Sequence, residues 1–93
     1  LEVQVVWHAT LRIERDLRAI LTLRDTSGTV WAETGGRPAG DHYPTTLWRE
    51  GELLRGRYQL LLRPSAPSGE LTLTVAVEDV ATSQLVGKLR WAL

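Results

Sequence analysis

The chain of 93 residues contains no cysteine, no methionine and no phenylalanine. Without cysteine there is no disulfide, no thiolate metal site and no cysteine nucleophile. Without methionine, and with Leu1 at its start, the chain is expected to be a piece excised from a longer or processed protein. Neither sign of charge is in excess, since eleven Lys+Arg balance eleven Asp+Glu. Phosphate-backbone binding shows as a basic surplus, so no nucleic-acid partner is expected. Like charges nowhere run together into a polybasic patch for a membrane surface. No apolar run approaches the roughly 18 residues of a membrane-spanning helix, so direct insertion of this segment is not expected.

What is present reads as one small domain, residues 1–93. A hydrophobic fraction of 43% argues against a disordered tail. At this length the core is expected to be thin.

The dominant local pattern is alternation with period two, the signature of a half-buried strand. In Leu1 to Trp7, the residues Val3, Val5 and Trp7 share a face. In Leu17 to Asp25, Leu17, Ala19, Leu21 and Leu23 do. Asp25-Thr-Ser-Gly28 reads as a turn, and Thr29 to Glu33 as the return strand of a hairpin. Thr34 to Asp41 carries Gly35, Gly36, Pro38 and Gly40 and is expected to be a loop. After a tight turn at Glu50-Gly51, Glu52 to Arg63 reads as a strand, with Tyr58, Leu60 and Leu62 on one face and a bulge or bend at Gly56. Pro64 to Gly69 is a turn by composition. Glu70 to Asp79 alternates most cleanly, with Leu71, Leu73, Val75 and Val77 inward. After a turn to Gln84, Leu85 to Leu93 closes the chain, placing Leu89, Trp91 and Leu93 against Lys88 and Arg90. Ala9 to Asp16, with Leu11 and Ile13, fits a strand, a loop or a helical turn equally well. This pattern predicts an all-β fold, an antiparallel immunoglobulin-like β-sandwich of about six to seven strands, with a small closed barrel as the alternative.

Several pieces together resemble a known pattern: Val5-Val6-Trp7, Leu21-Thr-Leu-Arg-Asp25 with Gly28, Tyr43-Pro-Thr-Thr-Leu-Trp48 with Gly51-Glu52, Pro67-Ser-Gly69, and Val75-Ala-Val-Glu-Asp79 with Thr82. From Glu2 to Leu89 the chain resembles the β-sandwich region that follows the multi-helix membrane part of bacterial glycosyltransferases of the protein-mannosyltransferase type and of related membrane proteins. It departs from that pattern at Gly56, Leu71 and Thr82-Ser83, where the family usually has Asp, an aromatic residue and Thr-Gly. The family region also commonly begins one strand before the position of Leu1. If an edge strand is missing here, the exposed edge is a pairing hazard or a docking site. The resemblance implies a non-catalytic accessory domain on the extracytoplasmic side of a bacterial membrane, partnered by the rest of its parent chain or a neighbouring protein.

Chemistry-bearing residues are sparse. His8 and His42 are the only histidines, and a metal site would have to recruit Asp41, Asp25 or Asp79. Solvated loop is the expectation, with no metal and no cofactor. Glu50 and Glu52 are neighbours beside one turn and do not face each other across a cleft as glycosidase carboxylates must. Ser27, Ser65, Ser68 and Ser83 lack a nucleophile-elbow setting, so no enzyme activity is expected. Trp7 and Trp91 share the apolar parity of their strands and are expected in the core. Trp31 opposes the parity of Val30 and Ala32, and Trp48 follows Tyr43 in the long loop. Trp31, Tyr43 and Trp48 are the candidate binding residues, since a carbohydrate-binding module stacks sugars on exposed rings. The structural expectation is that Trp48 folds back as a lid. Tyr58 is expected to be buried, with its hydroxyl bonded to backbone.

Overall fold

The structure, a computed structural model, describes residues 1–67 and 69–93. The expected turn residue Ser68 lies outside them. Six strands are present among the described residues: β1 (Glu2–His8), β2 (Leu17–Arg24), β3 (Val30–Gly36), β4 (Leu53–Gln59), β5 (Thr72–Asp79) and β6 (Leu85–Ala92). All pairings are antiparallel, forming a two-stranded sheet β1-β4 and a four-stranded sheet ordered β3-β2-β5-β6. This is the expected small all-β sandwich.

The alternation read from the sequence decides which face turns inward. Ala19, Leu21 and Leu23 of β2 are fully buried, joined by Ala32 of β3 and by Leu73 and Val75 of β5. From the opposite layer come Tyr58 and Leu60, with Val3, Val5 and Trp7 of β1 packed at the margin. Each fully buried leucine among these contributes about 1.5–3 kcal/mol relative to exposure.

Three local expectations are corrected. The stretch expected as a loop at Thr34-Gly35-Gly36 is the end of β3, with Gly35 opposite Ile20 and Gly36 opposite Ala19. Glycine serves close packing there: a Cβ on Gly35 would sit 3.0 Å from the Ala19 carbonyl. At Gly56 there is no bulge, because β1 and β4 pair in unbroken register with Val5 opposite Gly56. A Cβ at Gly56 would run into the Pro38 carbonyl and the Tyr58 ring. The strand expected to reach Arg63 stops at Gln59, although Leu60 N–H still donates to the Leu1 carbonyl at 2.8 Å.

The ambiguous segment between β1 and β2 forms no regular element. It is tied down by Arg37, whose Nη2 donates to Asp16 at 2.7 Å, and by Thr45. Thr45 belongs to a single 3₁₀ turn (Thr45–Leu47) that closes one end of the sandwich.

Candidate functional site

β1 and β4 cover only part of the larger sheet. Tyr58 and Gly56 of β4 lie against Pro38, just beyond β3, so β4 covers the β3 side. Val3, Val5 and Trp7 of β1 lie against Leu73 and Val75 of β5, which are buried, while Leu89 and Trp91 of β6 stay exposed. The result is a groove of about 470 Å³. Its wall is Val3, Val5 and Trp7, and its floor is Leu73, Val75, Leu89 and Trp91. No charged side chain lines it; Gln4 is the polar member, and its amide is turned to Glu2 at 3.2 Å.

Trp91 was expected in the core from its parity, with Leu89 on the same face, and the structure corrects this. They do point to the inner face, opposite Leu73 and Val75, yet Trp91 is 45% exposed and Leu89 63%. Parity turns a side chain toward the inner layer, but burial also requires a strand above it.

The free edge of β1 can be read residue by residue. Leu1 and Leu60 exchange hydrogen bonds at one end, and Ala9 N–H donates to the Glu52 carbonyl at the other. In an antiparallel pair, hydrogen-bonded positions alternate. Val3, Val5 and Trp7 therefore face β4 with their backbone groups, while the N–H and C=O of Glu2, Gln4, Val6 and His8 face the open edge. Among the described residues the buried Trp7 indole Nε1 has no hydrogen-bond partner.

The residues first suspected of binding sit elsewhere. Trp31 is the second residue of β3, near the Arg24 end of β2, and its Nε1 donates to Asp25 at 2.9 Å. The Arg63 guanidinium lies 5.9 Å from its ring centroid. Trp48 is only 3% exposed and donates from Nε1 to the Tyr43 carbonyl at 2.9 Å. Its 3₁₀ turn is held at the opposite end of β2, where Thr45 binds Leu17. At about 3.3 Å per residue, the length of β2 separates Trp31 from Trp48 by roughly 20 Å. The three rings do not form one platform. Tyr43 is half-buried, and its hydroxyl donates to Glu52 at 2.8 Å, which raises the Tyr43 pKa. Glu52 is held below the usual carboxylate range, first by the Arg49 N–H and then by Tyr43.

The other polar candidates are committed to the fold. Asp79 accepts from Arg15 at 2.6 Å and from the Ala81 and Thr82 N–H groups, all of which lower its pKa. Asp16 is lowered chiefly by its bond to Arg37. Among the described residues no three His, Asp or Glu side chains converge, and His8 and His42 are exposed. Tyr58, buried as expected, donates to the Pro38 carbonyl at 3.3 Å, and desolvation raises its pKa. A second concavity of about 600 Å³ runs between the end of β3 and β4, bordered by Arg37, Arg55 and Arg57. Arg37 is neutralised there by Asp16 and Asp41.

Sequence reasoning missed Leu89 and Trp91 as surface residues. No signal in the sequence marks this, because the division of the six strands into sheets of four and two is set by long-range pairing. Compared with family models, curated proteins and solved structures, the chain gives no match.

Proposed function

We propose that this domain is a non-catalytic interaction module of a larger bacterial membrane-associated protein. It is held on the extracytoplasmic side and docks through the inner face of β6 against its parent chain or a neighbouring protein. The observation that carries this is the exposure of Leu89 and Trp91 on the face that the rest of the sandwich buries. Contiguous exposed apolar surface of this kind marks interaction sites. The resemblance noted in the sequence supports the membrane-associated setting.

A photo-crosslinking residue at position 89 of the parent protein should join this domain to a segment outside it, and the absence of any such product would overturn the docking role. The pair Leu89→Ser and Trp91→Ser should leave the melting temperature of the isolated domain nearly unchanged and reduce its binding of an apolar dye. A fall of more than about 10 °C, roughly 2 kcal/mol at this size, would instead make that face part of the core.

A further inference from the structure

The groove is closed on one side by a strand whose outward backbone groups are unanswered among the described residues, and is floored by side chains that need a cover. We infer that its occupant is a single extended polypeptide strand, apolar at alternate residues, which adds to the free edge of β1 and lies over β6. This rests on the docking role proposed above and adds the chemistry of the partner.

Two features select a strand over other apolar ligands. The N–H and C=O of Glu2, Gln4, Val6 and His8 stand at ladder spacing along the open edge, and only a backbone can answer them in series. The uncovered part of the floor is also narrow, since Leu73 and Val75 of β5 are buried whereas Leu89 and Trp91 of β6 are not. A strand docked at the usual inter-strand spacing of about 4.8 Å from β1 would lie directly above Leu89 and Trp91.

The register defines what the partner must carry. Residues placed opposite Val3, Val5 and Trp7 would occupy the non-hydrogen-bonded positions of the new pair, where side chains approach most closely. They would share the inward face of those residues and meet the apolar floor. The neutral lining requires them to be apolar, whereas the residues between them face solvent beside Glu2, Gln4 and His8 and are polar.

A second copy of this chain does not satisfy these demands. Pairing two β1 edges about a two-fold axis normal to the sheet drives β6 of each copy into the place where the other holds β5. Pairing them about a two-fold axis along the strands turns Glu2, Gln4 and His8 of each copy onto the other's apolar floor, an uncompensated burial of polar groups.

The test uses the peptide Ac-KTVTVTVTK-NH2, with a scrambled peptide of the same composition as control. Amide exchange is followed by NMR on the isolated domain. The alternating peptide should slow exchange at Glu2, Gln4, Val6 and His8 by about tenfold or more and shift the Trp91 indole resonance, and the scrambled peptide should do neither. Val6→Pro removes an outward N–H that β4 does not use, a substitution an edge strand tolerates, and should abolish the protection. Leu89→Lys changes the floor alone and should abolish it as well. Protection that survives both variants, protection at the edges of β3 or β6 instead, or no protection at all would overturn the inference. So would a peptide-free dimer with those four amides already slowed. A crosslink from position 89 without peptide protection would leave the docking role standing and reject the strand; loss of both would reject the two together.

Discussion

Thr45 Oγ1 accepts the Leu17 N–H at 3.0 Å and donates to the Arg15 carbonyl at 2.6 Å. One buried hydroxyl thereby satisfies both backbone groups where the segment after β1 turns into β2, and fastens the 3₁₀ turn to them. Thr45→Val keeps the shape and strands both groups. It should cost about 2–3 kcal/mol, read as a lower urea midpoint with an unchanged slope, whereas Thr45→Ser should recover most of the loss. Equal stability of the Val variant and the wild type would remove the latch from the account.

Gly56 and Gly87 provide a contrast. A Cβ at Gly56 meets the Pro38 carbonyl and the Tyr58 ring, while a Cβ at Gly87 meets nothing within 4 Å. Gly56→Ala should destabilise by about 1–3 kcal/mol through overpacking. Gly87→Ala should be neutral or slightly stabilising, because it restricts the unfolded chain. Thermal melts of the two variants side by side decide the matter.

Asp25 is lowered to about 2, first by the Trp31 Nε1–H bond and then by Ser27. A carboxylate whose pKa is depressed in the folded state contributes stability above its unfolded pKa of about 4 and loses it as the pH falls toward 2. Asp16, Asp79 and Glu52 are also lowered and act in the same direction. The melting temperature should therefore decline through this acid window. Trp31→Phe and Asp25→Asn should each flatten the decline, and an unchanged acid profile in both would deny Asp25 a part in it.

Trp48 and Trp31 should respond unequally to substitution. Trp48→Phe loses buried volume and the bond to the Tyr43 carbonyl, at a cost of about 1–2 kcal/mol. Trp31→Phe loses only a half-exposed bond and should cost well under about 1 kcal/mol at neutral pH. Acrylamide should quench the emission of Trp31 and Trp91 and spare Trp48. Ready quenching of Trp48 would reopen the aromatic platform.

The strands were legible wherever burial follows from local alternation. In Leu17–Arg24 and Thr72–Asp79 the period-two pattern names the inward residues, because a pleated backbone turns successive side chains to opposite faces. Gly35 and Gly36 read as loop because composition records the freedom of glycine but not the neighbouring strand, which at Gly35 needs its smallness. Trp31 and Trp48 carry the same ring, and only the folded chain separates a half-exposed one from a buried one. Trp91 shows the limit most plainly. Its sequence neighbours assign it to the inner face of β6, and it takes that face, but whether an inner face is covered depends on strands distant in the chain. The pairing of β1 with β4 leaves β6 bare, and it is this long-range packing, carried by no local pattern, that converts a core tryptophan into the floor of a groove.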